Sequence, residues 1–539
     1  MATPSFVAAL RPPISDLPLT RGVLRFFAVF LITVLTSCDS AKQPPIVEIA
    51  GTRYLGLDQD AGVQAFLGIP FAEPPVNALR WERPVPIESS LGEVDATHFM
   101  PACMQTGSGL AWYHGMMSRV GVDPSLMAGP KYSEDCLYLN IWTDGDYSEP
   151  KPVLVFIHGG SNTGGWSYEP NYHGNALAKR GVVVVTVAYR LGVLGWLSHP
   201  DMAIQNPGLH DLIVALEWVN RNITAFGGDP SRIVVSGESA GADNALHLAL
   251  APAMRGKIAG VIHQSAGWSV TSTLRPEDGF ALGESLVAHH FGTDGTFTDL
   301  KRIPAAELLD SQLDLFSEHY FSPIPDPETL PVPLEDALVG EAFPALNLIL
   351  GSNGNESLMY IPEGAVLTDY LEGYFPRETW DDIKVKLGAD LSELPQMDRL
   401  RSAVQYTCPS LALAKAAQAA GGAAFVYRFD RVREGFDAIG AYHGAELPYV
   451  FDTHDAWLPT DEVDQKITHA LVDYWVAFVT DGSPNESQSG GLEAGRLFWP
   501  PWTQTQQALV ISDEVSTRTH PDAALCDFLR TVQVSSARH

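Results

Sequence analysis

The element that most constrains this chain is the pentapeptide Gly237-Glu238-Ser239-Ala240-Gly241. A short apolar run, residues 233–235, leads into it, and residues 240–250 behind it read as a helix. A strand that turns directly into a helix leaves room only for small residues where the two backbones cross. Gly237 and Gly241 satisfy that demand, and Ser239 is held out at the tip of the turn. The spacing makes Ser239 a candidate nucleophile rather than an ordinary turn serine.

The flanking sequence repeats the same alternation. Residues 153–157, 182–187, 261–262, 348–350 and 424–427 are short apolar or β-branched runs, as strands buried on both faces require. Between them, residues 209–222 place Leu212, Leu216 and Val219 on one helical face. The pattern predicts an α/β fold with a large, mixed, mostly parallel central sheet, helices on both faces, and helical or loop insertions above it. Residues 275–344 contain helix-like pieces broken by Pro323, Pro325 and Pro327, and are expected to form such an insertion. Residues 100–132 are rich in Gly and Met and read as a long loop.

Charge narrows the function. With 34 Lys+Arg against 64 Asp+Glu, the formal net charge is −30, which disfavours a phosphate backbone as partner. An apolar fraction of 45% is that of a folded chain. At the start, Arg21 and Arg25 precede an apolar run, residues 26–35, that is too short to span a membrane and ends in small residues. Residues 1–37 are expected to be a signal peptide, leaving 38–539 as a single domain. Leu35-Thr36-Ser37-Cys38 resembles a bacterial lipobox, which implies lipid on Cys38 and a cell-envelope lipoprotein, with secretion as the alternative. The remaining cysteines, Cys103, Cys136, Cys408 and Cys526, suggest disulfides in an exported chain, with three pairings open.

A nucleophilic serine needs a base, a group to orient it, and donors for the oxyanion. His158-Gly159-Gly160-Ser161, at the end of the run 153–157, suits one half of an oxyanion hole, and the N–H of Ala240 suits the other. The base is one of 16 histidines, and residue pattern alone does not select it.

Longer motifs do. Gly68-Ile69-Pro70-Phe71-Ala72-Glu73-Pro74-Pro75, Leu79-Arg80-Trp81, Ser133-Glu134-Asp135-Cys136-Leu137-Tyr138-Leu139-Asn140, Tyr189-Arg190-Leu191-Gly192-Val193-Leu194-Gly195 and Phe226-Gly227-Gly228-Asp229-Pro230 occur in order. The chain resembles the type-B carboxylesterases, the cholinesterase-like branch of the α/β-hydrolase fold, from about residue 51 to residue 529. The resemblance implies a serine hydrolase of carboxylic esters working through an acyl-enzyme, with small-molecule esters as substrates and no metal or organic cofactor. It implies Ser239, Glu356 and His443 as the triad, and the N–H groups of Gly160, Ser161 and Ala240 as oxyanion donors. It pairs Cys103 with Cys136 and Cys408 with Cys526, and treats Arg80–Glu134 and Arg190–Asp211 as scaffold ion pairs.

Other assignments stay open at this level. Asp452 or Asp455 is the alternative acid, and His210 and His263 read as structural. Glu238 either tunes the field at the site or holds the turn. Trp112 reads as core packing first and as a pocket-lining residue second, and Trp268 as either an acyl-side wall or packing. The family's common third glycine is Ser161 here, which matters if the backbone needs positive φ. Leu126 stands where cholinesterases carry a tryptophan, so choline is not an expected substrate. Amidase, lactonase and polyester hydrolase activities remain alternatives, as does a non-catalytic interaction protein of the same fold.

Overall fold

The computed structural model describes residues 44–532 except Ser89, 268–272, Glu318, 340–342 and 486–495. The expected leader, Cys38 and Trp268 lie outside the described residues. An eleven-stranded sheet organises the chain. Its strands are β1 (Leu57–Asp58), β2 (Gln64–Pro70), β3 (Tyr138–Thr143), β4 (Lys151–Ile157), β5 (Val183–Val187), β6 (Gly228–Glu238), β7 (Gly260–Gln264), β8 (Asn347–Asn353), β9 (Ala424–Phe429), β10 (Gln507–Ile511) and β11 (Val515–Thr519). Their spatial order is β11-β10-β9-β8-β7-β6-β4-β5-β3-β2-β1. From β5 across to β10 each neighbouring pair is parallel, and antiparallel pairs finish both edges.

Alternation along the strands explains the two-sided burial. Val153, Val155 and Ile157 of β4, with Val183, Val185 and Val187 of β5, enter one core. Leu154, Phe156 and Val184, one residue out of phase, enter another. A strand presents successive side chains to opposite faces, so an apolar run demands cover on both. The first core is covered by α2 (Pro207–Asn222), α3 (Ala240–Leu250) and α7 (Cys408–Ala419). The second is covered by α8 (Glu462–Asp481), whose Ile467, Leu471, Trp475 and Phe478 share one stripe.

The segment expected to be an insertion carries α4 (Pro276–Phe291), α5 (Ala305–Phe316) and α6 (Leu334–Val339). Residues 100–132 depart from the expected loop: they contain α1 (Ser108–Arg119). Tyr113, Met116 and Met117 fall on one face at spacings of three and four and are buried there. Packing of that stripe overrides the poor helix propensity of Gly109 and Gly115. Disulfides join Cys103 to Cys136 and Cys408 to Cys526, the latter tying the start of α7 to α9 (Ala523–Leu529). Arg80 grips Glu134 through two 2.6 Å bonds and donates to Ile303 O at 2.6 Å, fastening the insertion to the connection between β2 and β3. Arg190 holds Asp211 through Nε at 2.8 Å and Nη2 at 2.7 Å.

Candidate active site

Three parallel strands of the sheet deliver the candidate residues, each from the connection that leaves its C-terminal end. Ser239 follows β6, Glu356 follows β8 and His443 follows β9, with β7 lying between β6 and β8. Loops at the carboxyl edge of a parallel sheet are where such folds assemble their sites.

Ser239 has φ +55°, a conformation L residues rarely adopt, and its N–H donates to Gln264 O at the end of β7 (2.8 Å). The turn admits no bulk. A Cβ on Gly237 would lie 2.2 Å from Gly241 O, and one on Gly241 would lie 2.1 Å from Ile157 O. Ser239 is partly exposed while Gly237, Glu238 and Ala240 are buried around it.

Glu356 is fully buried. Its Oε1 accepts from the Asn353 N–H at 2.6 Å, and its Oε2 lies 2.6 Å from His443 Nδ1. A carboxylate partner there makes Nδ1 the protonated nitrogen. His443 Nε2 lies 3.2 Å from Glu238 Oε1. Ser239 Oγ makes no hydrogen bond to that nitrogen within the described residues. In free enzymes this contact is commonly long and closes when substrate arrives. Burial would lower the His443 pKa, but the charges of Glu238 and Glu356 outweigh it and raise it to about 9. Burial likewise pushes the Glu238 carboxyl up, against the pull of the imidazolium.

The structure therefore draws Glu356 and His443 together and sets Glu238 against the other ring nitrogen of the imidazole. Asp452 and Asp455 take no part in that contact. His210 and His263 are buried elsewhere, beside Arg83 (3.1 Å) and Asp243 (3.3 Å).

The oxyanion segment lies against the elbow. A Cβ on Gly159 would meet Ser239 Cβ at 3.0 Å. Gly160 and Ser161 are exposed, with φ +97° and +56°. Ser161 thus occupies the left-handed region, where its Cβ brings strain that a glycine would not have. Among the described residues the N–H groups of Gly160, Ser161 and Ala240 have no hydrogen-bond partner. His158, fully buried, has its pKa lowered to about 4 by burial, stacks on Tyr189 at 4.6 Å and directs Nδ1 to Gly159 O at 2.9 Å.

Glu446, Tyr406 and Tyr360 had no assigned role in the sequence. Glu446 accepts from Asn353 Nδ2 (2.6 Å) and Gln264 Nε2 (2.9 Å), joining the ends of β8 and β7, and burial raises its carboxyl. Tyr406 and Tyr360 place their rings 5.1 and 6.2 Å from that of His443. Trp112, expected in the core, is half-buried and donates Nε1 to Tyr360 Oη at 2.7 Å. Its ring also reaches within 4.0 Å of where a Cβ on Gly444 would stand. The one sequence clue was proximity: Glu446 lies three residues beyond His443, and Trp112 inside the disulfide-closed loop. Leu126 is 67% exposed.

The chain is similar to known proteins over most of its length. Residues 43–380 and 383–529 match the carboxylesterase family. The para-nitrobenzyl esterase of Bacillus subtilis (strain 168) is 30% identical over 491 residues, 86% of this chain and 94% of the relative. The fumonisin B1 esterase of Sphingopyxis macrogoltabida is 30% identical over 540 residues, 94% of each chain. A solved structure of PNB esterase superposes with a TM-score of 0.75 at 28% identity, covering 90% of this chain and 98% of that one.

Proposed function

This chain belongs to the type-B carboxylesterase family, serine hydrolases acting on esters, and on that premise we propose that Ser239, His443 and Glu356 carry the reaction on neutral esters. His443 Nε2 takes the proton of Ser239 Oγ as the oxygen attacks the ester carbonyl. Glu356 fixes the tautomer and stabilises the imidazolium. The N–H groups of Gly160, Ser161 and Ala240 receive the oxyanion, and removing one such donor typically costs about 3 kcal/mol of transition-state stabilisation. His443 then protonates the departing alcohol, and water repeats the sequence on the acyl-enzyme. The observation that carries this reading is the 2.6 Å contact of His443 Nδ1 with buried Glu356, set beside a serine in a positive-φ elbow.

Substrate preference follows from what surrounds the imidazole. The burial that raises the carboxyls of Glu238, Glu446 and Glu169 would penalise an anionic acyl or alcohol group brought into the same region. The rings of Trp112, Tyr360 and Tyr406 offer apolar surface instead. A para-nitrobenzyl ester, the substrate class in one relative's name, is the first probe.

The test is pre-steady-state. Wild type should release a stoichiometric burst of alcohol from an activated neutral ester, and Ser239→Ala should release none. A burst retained by Ser239→Ala rejects the nucleophile. A hemisuccinate ester turned over as fast as its uncharged butyrate counterpart rejects the neutral-ester preference. We also propose export with lipid on Cys38. Two disulfides that consume all four remaining cysteines support an oxidising compartment. Palmitate labelling lost in Cys38→Ala is the expected result.

A further inference from the structure

Gly160, Ser161 and Asn162 follow one another with φ +97°, +56° and +58°. Such a run is avoided by L residues and persists only where the surroundings over-determine it. Asparagine tolerates the left-handed region better than most, whereas Ser161 has no such local help. The surroundings converge on Asn162, which is 2% exposed. Its carbonyl accepts from the Gly192 N–H at 2.6 Å. Its Oδ1 accepts from Asn244 Nδ2 at 2.7 Å, and Tyr189 Oη lies 3.4 Å away. Its Nδ2 donates to Phe321 O at 2.8 Å. Asn244 belongs to α3, the helix that starts at the nucleophile, and Phe321 lies in the insertion. One side chain thus ties the oxyanion segment to the serine's helix and to the segment above the sheet.

We infer that Asn162 is a positioning residue for the oxyanion hole, its buried amide locking residues 160–162 in the left-handed run that leaves the N–H groups of Gly160 and Ser161 without acceptors among the described residues. The inference rests on the serine-esterase reading above. It requires that Asn162 act on the transition state and not on substrate binding, because the ground-state carbonyl gains less than the oxyanion from these donors.

A trifluoromethyl ketone bearing the substrate's acyl group separates the possibilities. Ser239 Oγ adds to its carbonyl carbon, the serine proton passes to His443, and the former carbonyl oxygen becomes an alkoxide in the hole. In Asn162→Gly, which retains access to positive φ, kcat should fall roughly 10²-fold with KM within threefold, and ketone affinity should fall in step. Asn244→Ala, which removes only the bond to Oδ1, should lower the same two quantities by a smaller factor and guards against a misfolded Asn162 variant. Ketone affinity within threefold of wild type in both variants overturns the inference, as does a rise in KM at unchanged kcat. If wild type itself fails to bind the ketone, the nucleophile assignment has failed instead.

Discussion

Glu238 Oε1 lies 3.2 Å from Nε2 of His443, on the side of the imidazole opposite its contact with Glu356. The imidazole is thus flanked by two buried carboxylates, and its protonated form is stabilised from both sides. This has two effects of opposite sign. The imidazolium formed in the transition state is favoured, but the resting enzyme also holds its proton to higher pH.

Replacing Glu238 by Gln therefore moves the acid limb of the pH profile. In wild type the limb should lie above the ~6.5 of a free imidazole, towards about 9, with activity rising as His443 loses its proton. In Glu238→Gln the folded-state pKa of His443 falls, so the limb should shift to lower pH while the plateau of kcat drops. The pH profiles of kcat/KM and of kcat for a neutral p-nitrophenyl ester read the limb and the plateau. An unshifted limb would mean that Glu238 does no more than hold the turn.

Glu356→Gln should lower kcat by roughly 10³–10⁴-fold with little change in KM. Glu356 uses both oxygens, one on the Asn353 N–H and one on His443 Nδ1. A glutamine has one oxygen to give. If it stays with Asn353, the amide N–H₂ faces Nδ1 and forces the proton onto Nε2, the nitrogen that must accept from Ser239. Steady-state turnover of an activated ester, normalised to folded protein, measures the loss. Wild-type turnover would move the orienting acid elsewhere.

Much of this was legible in the sequence, for separable physical reasons. The β-branched runs at β4 and β5 read as doubly buried strands because nothing else uses such residues so densely. The elbow was legible because Gly237 and Gly241 answer to a backbone crossing within five residues. Glu356, His443 and the disulfide partners were reachable only through a family resemblance, since their contacts join distant parts of the chain. The helix α1 was hidden by its glycines, its burial being decided by the tertiary stripe of Tyr113, Met116 and Met117. No local pattern announced the meeting of Glu238 with His443, or of Asn162 with Phe321 and Asn244. Each depends on loops that come together only after the sheet has formed.

Gly241→Ala should be among the most damaging single-methyl additions in the chain. The new Cβ would stand 2.1 Å from Ile157 O and 2.6 Å from His158 O. Both neighbours are backbone atoms, so no side chain can swing aside, and relief requires β4 or α3 to shift. The expected destabilisation is about 3 kcal/mol or more, at the upper end of overpacking effects. Urea unfolding measures it. An unchanged midpoint would show that strand and helix approach less closely than the structure has them.

Removing the Cys408–Cys526 bridge should cost more stability than removing Cys103–Cys136. Their sequence separations are 118 and 33 residues, for which loop-closure entropy gives about 5 and about 4 kcal/mol. A residue beside the longer bridge also reaches the imidazole. Tyr406, two residues before Cys408, packs its ring 5.1 Å from that of His443. The double variant Cys408→Ser, Cys526→Ser should therefore show a lower urea midpoint and a lower kcat, whereas Cys103→Ser, Cys136→Ser should act on the loop bearing Trp112 and show first in KM. Denaturation and steady-state kinetics on the two double variants, prepared without reductant, separate these effects. Equal midpoints would mean that strain or residual unfolded-state structure, not loop length, sets what each bridge contributes.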